Sequence, residues 1–385
     1  MNDPNLIPTF DPNPLPAPYW IFKLLLIVTF FLHIVAMNFM LGGAVLALAA
    51  KWRTRNREQG KRIFVDLSKK LPVLLPATIT LGIAPLLFLQ VLYGQFFYAS
   101  SIVVAWPWFL VLVLLTVAYY GFYYASFRSG QESGKASMVI LFSVILVFLI
   151  GFIYSNNLTL SQTPARWKGK YFANPSGWNL NFSEPTLIPR FLHFFVAAIA
   201  VGGLFLVFLA LARWKQDGDY ARGIFQLGGK AFMFATMAQF AVGIWFLIRL
   251  PRDLRMLFFG DNLIASVFLF VGVAGGIAAI FVMAEALRRE NVRMAAYYVS
   301  GIVAVVIAVM AVMRDMLRDA YLEPYYSPDQ FVVKTQWSVF PLFLVLFVGG
   351  VILWFVMLKR YGLFGGAKAA PPVHEETPEL TGAAR

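Results

Sequence analysis

The sequence predicts an all-α integral membrane protein with about nine transmembrane helices, arranged as two four-helix units plus one extra helix. Of its 385 residues, 60% are hydrophobic and only 13% are charged, whereas soluble domains carry about 25% charged residues. The apolar residues form continuous runs, and crossing a bilayer takes about 20 residues per helix. Such runs exclude a soluble globule, a disordered chain and a porin-type barrel, whose strands alternate in hydrophobicity.

Nine apolar runs are separated by polar segments or by segments that contain Pro and Gly. The first, second and sixth runs are longer than one crossing requires, so we expect those helices to tilt or to project beyond the hydrocarbon. The predicted spans cover residues 19–50, 72–98, 104–127, 136–157, 188–212, 224–250, 263–287, 294–313 and 336–358.

Basic residues beside these runs predict the orientation. The loop from Lys51 to Lys70 contains eight Lys or Arg residues, which the positive-inside rule places in the cytoplasm. The N-terminus is then outside and, after nine crossings, the C-terminus is cytoplasmic. We therefore predict a multi-pass protein of the bacterial inner membrane. Its net charge of +13 reports topology in contact with lipid, not a nucleic-acid partner.

The predicted units are residues 19–157 and 188–313, joined by an outer loop at 158–187. Residues 1–18 are proline-rich and lack a basic region, so we expect an extended extracytoplasmic segment and not a signal peptide. An outer cap is predicted at 314–335, before the ninth helix at 336–358. A disordered cytoplasmic tail is predicted at 365–385, and we expect no function for its His374.

A short pattern recurs in the two predicted units. Phe31-Leu32-His33 precedes Gly42-Gly43, and Phe191-Leu192-His193 precedes Gly202-Gly203, with each histidine nine residues before the first glycine. The following helices repeat Leu81-Gly82-Ile83 as Val242-Gly243-Ile244. This recurrence is the basis for predicting two related units.

His33 and His193 are the only histidines in the predicted spans. A coordinating side chain in a membrane helix marks a functional site by default, and imidazole is a common axial ligand of haem iron. Each glycine pair lies about 13 Å further along its helix, where it could face a porphyrin or a closely approaching partner helix. An interhelical hydrogen bond is the alternative role for each histidine. The chain contains no cysteine, which excludes c-type haem attachment and thiolate-held iron-sulfur clusters.

Two stretches resemble subunit I of the cytochrome bd quinol oxidases. One runs from Asn174-Pro175 through Asn181-Phe182-Ser183-Glu184-Pro185 to His193 and Gly202-Gly203, and it is similar to the region entering that family's fifth helix. The other runs from His33 to Gly42 and is similar to the family's N-terminal haem-ligating helix. The resemblance implies one or two b haems, with His33 and His193 as iron ligands, and a quinone as substrate, supplied as menaquinol or ubiquinol.

The sequence departs from that family at three places. Gln90 takes the position of a glutamate in the second helix, residues 267–272 contain no methionine, and the quinol loop is reduced to residues 250–256. None of the 19 Asp and Glu residues lies in the middle of a predicted span. Reduction of oxygen consumes protons, which titratable groups must relay to a buried site. We therefore expect electron transfer without oxygen chemistry.

Four residues near the outer boundary are candidates for contacts with haem propionates or with a quinone. Arginine binds carboxylates through paired hydrogen bonds. The alternative for each of them is ordinary contact with lipid headgroups. The candidates are Arg252, Arg314, Arg318 and Trp337.

These observations predict a membrane b-type cytochrome subunit that transfers electrons between a membrane quinol and an extracytoplasmic redox partner. Because the chain has no cysteine, that c-type cytochrome or iron-sulfur partner would be another subunit. Two alternatives remain open: subunit I of a bd-type quinol:oxygen oxidoreductase, and a haem-free quinone-binding membrane anchor. A transporter is disfavoured because charge is scarce at the midplane. Each histidine holds its own haem, or both clamp one haem; the sequence leaves both arrangements open.

Overall fold

The fold is all-helical, as a computed structural model of the chain shows. It describes residue 8, residues 13–54 and residues 56–360, without the side chains of residues 358–360. Within these residues there is no strand, and nine helices are long and apolar enough to cross a membrane. The predicted fold class, a multi-pass integral membrane protein, is thereby confirmed. The predicted tail at 365–385 lies outside the described residues, and so does His374.

Helices account for nearly all of the described chain. They are α1 (Tyr19–Arg53), α2 (Arg57–Ser68), α3 (Leu71–Val103), α4 (Ala105–Arg128), α5 (Ser133–Ser161), α6 (Trp167–Ala173), α7 (Leu187–Arg213), α8 (Gly218–Arg249), α9 (Arg252–Met256), α10 (Leu263–Arg288), α11 (Val292–Met294), α12 (Ser300–Leu322) and α13 (Val339–Arg360). A π-helical turn, Ala295–Val299, joins α11 to α12, so that Val292–Leu322 forms one span.

Two groups of helices meet at the pair formed by α1 and α7. In the first group α1 packs against α3, and α4 packs against α5. In the second group α7 packs against α8, and α10 packs against α12. The extensive contact of α1 with α7 joins the groups, so these two helices form the centre of the bundle.

Glycines make the crossing of α1 and α7 possible. A Cβ atom on Gly42 would lie 1.9 Å from the carbonyl oxygen of Ala198, and one on Gly202 would lie 2.6 Å from Gly42 Cα. Small residues allow such close approach of two backbones within a membrane. The sequence left two roles open for the glycine pairs, contact with a porphyrin or with a partner helix. The structure shows contact with a partner helix, and the close crossing leaves no space there for a porphyrin.

The segment before α1 pairs with the segment before α13. The Leu15 N–H donates to the Val332 carbonyl at 2.8 Å, and the Lys334 N–H donates to the Leu15 carbonyl at 2.9 Å. Leu15 and Ala17 are buried. Both segments lie at the end of the bundle where α1 begins and α12 ends, which we call the N-terminal side.

The end of the eighth span was predicted wrongly. The prediction ended it at residue 313 and placed a cap at 314–335, but α12 continues to Leu322. Asp315 and Arg318 are consequently buried within the helix, at 5% and 2% exposure. Asp315 lies towards the end of the Val292–Leu322 span, so it does not contradict the prediction that no acid lies in the middle of a span. A buried charge is tolerated when an opposite charge pairs with it, and here Asp315 pairs with Arg318 and with Lys23 of α1.

The basic loop after α1 is partly helical. Helix α2 begins after Asn56, whose side chain accepts a hydrogen bond from the Gln59 N–H, as an N-cap residue does. Ile63, Phe64 and Leu67 bury one face of this short helix. Its opposite face carries the charges, so the loop forms an amphipathic element at the end of the bundle opposite the N-terminal side.

Candidate functional site

His33 lies in the contact between α1 and α3. Its Nδ1 atom is 3.1 Å from the carbonyl oxygen of Thr78, and its ring is only partly buried. A Cβ atom on Gly82 would lie 2.8 Å from His33 Cε1, so the glycine provides the space that the imidazole occupies. A proton on Nδ1 that is donated to this carbonyl oxygen leaves the lone pair on Nε2, and such a hydrogen bond fixes the orientation of a metal-binding histidine.

His193 lies in the equivalent contact between α7 and α8. A Cβ atom on Gly243 would lie 3.4 Å from His193 Cε1. The side-chain amide of Gln239, one turn before that glycine, donates to the His193 carbonyl oxygen at 2.8 Å. His193 Nδ1 is buried and has no hydrogen-bond partner among the described residues. The ring itself is therefore held by packing, and the hydrogen bond from Gln239 fixes the backbone that carries it.

The two imidazoles face different helices. His33 packs against Gly82 of α3, and His193 packs against Gly243 of α8. The recurring glycines in the sequence thus have one physical role, since each makes room for the histidine of the preceding span. This arrangement favours two separate ligand positions over one position shared by both rings.

Three arginines lie together near the N-terminal side and form what we call the arginine cluster: Arg190, Arg314 and Arg318. Arg314 and Arg318 stand four residues apart on α12, and the guanidinium of Arg190 lies 5.9 Å from the ring of Tyr321 on the same helix. Arg314 stacks on the ring of Phe30 at 4.2 Å, one turn before His33. Arg190 is three residues before His193 and is 6% exposed. The cluster therefore reaches both histidine positions.

Beside the arginine cluster, Lys23, Tyr93, Asp315 and Asp319 form what we call the lysine–aspartate network. Lys23 Nζ lies 2.5 Å from Asp315 Oδ2 and 2.8 Å from Asp319 Oδ2. It also donates to the Tyr93 hydroxyl at 2.7 Å, and that hydroxyl donates to Asp319 Oδ1 at 2.5 Å. Arg318 Nη1 donates to Asp315 Oδ1 at 2.9 Å. Arg318 is thus common to the network and the cluster.

A second tyrosine covers the network. The ring of Tyr326 packs on the ring of Tyr93 with centroids 5.0 Å apart, and its hydroxyl donates to the Tyr19 hydroxyl at 3.0 Å. Burial, together with this hydrogen bond to Tyr19, raises the pKa of Tyr326 well above its ordinary value. Tyr326 therefore stays a neutral phenol at physiological pH.

The carboxylates near the arginine cluster neutralise only part of its charge. Asp315 pairs with Arg318 and Lys23, Asp319 pairs with Lys23, and the nearby Glu184 pairs with Arg166 at 3.1 Å. Arg190 donates to the neutral Gln162 at 2.7 Å. The two positive charges of Arg190 and Arg314 are left without a carboxylate partner among the described residues.

Several donor atoms of the cluster also lack partners. Within the described part of the chain, the Nε atoms of all three arginines and Nη2 of Arg190 are buried without a hydrogen bond. A buried, unpaired guanidinium is costly. An anion with several oxygen atoms would satisfy both the charge and the donors.

The other residues selected from the sequence lie elsewhere. Arg252 is exposed at the start of α9, and Trp337 is 66% exposed before α13. Gln90 is partly buried in α3, one turn before Tyr93. Of the predicted contacts for propionates or a quinone, only Arg314 and Arg318 belong to the buried cluster.

Sequence reasoning overlooked Arg190 and the lysine–aspartate network as site residues. The signals were available: Arg190 stands three residues before a histidine, and Lys23 interrupts the first apolar run. Tyr93 gave no signal, because a tyrosine among apolar residues is usual. Its burial and its hydrogen bonds arise only when α12 packs against α1.

The residues present fit the haem that the sequence predicts. Each histidine offers one partly buried imidazole, and one imidazole suffices because a porphyrin supplies the equatorial ligands of its iron. The arginine cluster offers unpaired donors to the carboxylate oxygens of the propionates. No group of three or more His, Asp and Glu that could hold a metal ion occurs in the described ranges.

The fold resembles that of a known oxidase. A solved structure of bd oxidase from Geobacillus thermodenitrificans matches with a TM-score of 0.70, covering 90% of this chain and 99% of that chain at 13% identity. No family model and no curated protein matches the sequence. The chain is thus a multi-pass helical membrane protein with a fold like that of cytochrome bd subunit I.

Proposed function

We propose that this chain is a membrane b-type cytochrome subunit, with His33 and His193 as axial ligands of haem iron. Electrons pass between a membrane quinol and a redox partner on the extracytoplasmic side. The observation that carries the proposal is the equivalent seating of two imidazoles, each against a glycine of the following span. The cytochrome bd-like fold supports it.

The protein's residues have separate tasks in this function. A bound haem supplies a one-electron couple, whose potential the axial ligand and the surrounding charges set. The Thr78 carbonyl oxygen orients His33, and Gln239 fixes the backbone at His193. The arginine cluster binds carboxylates and places positive charge beside the couple, which favours the reduced state.

Spectroscopy of the purified full-length protein tests the proposal. A reduced-minus-oxidised spectrum, with extraction of the haem, is recorded for the wild type and for His33→Ala and His193→Ala. We expect b-type bands in the wild type and loss of a different part of the haem in each variant. Absence of haem from the wild type, or unchanged haem in both variants, would overturn the proposal.

The structure also favours a second candidate, subunit I of a bd-type quinol:oxygen oxidoreductase. The sequence argument against oxygen reduction was the lack of acids in the middle of the spans, but α12 buries Asp315 near its end and pairs it with Lys23 of α1. Oxygen consumption by the purified complex, with a quinol supplied, separates the two functions. The b-type cytochrome predicts haem reduction by quinol without uptake of oxygen.

A further inference from the structure

We propose that the lysine–aspartate network is a proton-exchange site that is coupled to the redox state of a haem whose propionates the arginine cluster would bind. The inference rests on the proposed function. If such a haem took up one electron from a quinol or another one-electron donor, the network would bind one proton from water. That proton would form an O–H bond on an aspartate carboxylate, and it would return to water when the electron leaves.

The network forms a continuous hydrogen-bonded path from the protein interior to solvent. The side chain of Asp315 is 7% exposed, that of Lys23 is 14% exposed and that of Asp319 is 43% exposed. Each neighbouring pair is joined at 2.5–2.8 Å. A proton can therefore enter at Asp319 and reach Asp315 through one lysine.

The arrangement of its ion pairs lets one carboxylate of the network take a proton while the other stays paired. With all groups ionised, the two carboxylates are balanced by Lys23 and Arg318, their ion-pair partners among the described residues. Because Lys23 bridges both carboxylates, protonation of one leaves the lysine paired with the other. An electron added nearby makes the charged carboxylate less favourable and raises its proton affinity. This coupling is reciprocal, so proton binding also favours reduction.

Charged and titratable groups face the network from α1, α3, α12 and the segment after α12. The titratable and charged groups that face it are Tyr19 on α1, Tyr93 on α3, Arg314 and Arg318 on α12, and Tyr326 after α12. The two arginines connect it to the proposed propionate contacts. The tyrosines are donors and neutral acceptors, which leaves the aspartates as the groups that take the proton.

The chain provides a matched control at the opposite end of the bundle. Asp66 is paired there with Arg213 at 3.0 Å and with Lys70 at 3.3 Å, and Tyr220 donates to it at 3.1 Å. This cluster has the same residue types as the network but no contact with the arginine cluster. The variant Asp66→Asn therefore tests for general effects of losing a buried carboxylate.

The experiment measures the haem midpoint potential against pH in the haem-loaded wild type and in Asp319→Asn, Lys23→Met and Asp66→Asn. We expect the wild-type potential to fall as pH rises, by up to about 59 mV for a tenfold change in proton concentration. Asp319→Asn and Lys23→Met flatten this dependence, and Asp66→Asn retains it. Redox-induced infrared difference spectra show a carboxylic acid band that Asp319→Asn removes.

Two results overturn the inference. A wild-type potential that does not depend on pH, or a dependence that persists in both network variants at normal haem content, makes the network a structural clamp between α1, α3 and α12. Asp319 is the partly exposed member, so its variant tests the inference even when Lys23→Met fails to fold. A wild type that binds no haem overturns the proposed function instead, and this inference with it.

Discussion

The two histidine positions differ in how firmly the protein holds the ring. His33 is fixed at two points, by the hydrogen bond to the Thr78 carbonyl and by the close contact with Gly82. His193 has the wider contact with Gly243 and no partner for Nδ1 in the described residues. We infer that the His33 position is preorganised and that the His193 position depends on its ligand for the orientation of the ring.

The surroundings of the two positions also differ. Arg314 packs on Phe30, one turn before His33, and belongs to the same helix as Asp315 and Asp319 of the lysine–aspartate network. His193 lies one turn after Arg190, whose partner is the neutral Gln162. The two histidine positions therefore have different electrostatic surroundings, which under the proposed function would give the two haems different potentials.

Gly42→Ala should have the largest effect, because it affects both positions together. The new Cβ atom would meet the carbonyl oxygen of Ala198 at 1.9 Å, and backbone atoms cannot yield as a side chain can. We expect a loss of about 3 kcal/mol or more in unfolding free energy, seen as a lower melting temperature in detergent. Both haem signals should decline in parallel.

The control for the crossing is Gly43→Ala. Its Cβ atom would lie 3.5 Å from Phe205 Cδ1, an ordinary contact distance, so the melting temperature should stay close to that of the wild type. Equal destabilisation by the two variants would contradict the assignment of Gly42 to the crossing.

Gly82→Ala and Gly243→Ala separate the two positions. At Gly82 the added Cβ atom overlaps the His33 ring at 2.8 Å, whereas at Gly243 it reaches the His193 ring at 3.4 Å. We expect the first variant to weaken haem binding at least about tenfold at its site, a loss of about 1.4 kcal/mol. Gly243→Ala should bind haem with an affinity within a factor of about two of that of the wild type. Haem titration of the two variants checks the order, and the reverse order would refute the difference in seating.

Arg314→Gln and Arg190→Gln should affect different haems. Each removes one cation from the cluster, beside His33 in the first case and beside His193 in the second. A hydrogen bond to a charged group contributes about 1.5–3 kcal/mol, so the affinity of the nearer haem should fall about tenfold to a hundredfold. Separate titration of the two spectral bands measures this. Equal losses in both bands would contradict the assignment of one arginine to each haem.

The sequence predicted most of the fold, and for a simple physical reason. Lipid-facing helices must be apolar along their whole length, so eight of the nine spans end close to where their apolar runs end. The exception is α12, which continues from Arg314 to Leu322. Hydropathy ends a helix at the first charges, but here Lys23 of α1 neutralises Asp315 and Asp319. That partner is distant in sequence, so local composition cannot reveal it.

Part of the candidate site was predictable because polar residues stand out in the apolar sequence of a membrane helix. A histidine in an apolar run is visible without a structure, and so is its spacing to Gly42 or Gly202. The purpose of those glycines was not visible, since a helix partner and a porphyrin require the same small residues. Tyr93 and Arg190 acquire their roles only through packing between helices.

Gln239→Leu should have the smallest effect, and it tests the weaker seating of His193 directly. The variant removes the hydrogen bond from the Gln239 amide to the His193 carbonyl oxygen, a loss of about 1 kcal/mol. The melting temperature should fall by about 2 °C, with a broader haem band because the ring is less ordered. Thr236→Val is the control, since the Thr236 hydroxyl bonds within α8 to the Phe232 carbonyl. If Thr236→Val broadens the band equally, Gln239 does not position His193, and packing against Gly243 alone orients the ring.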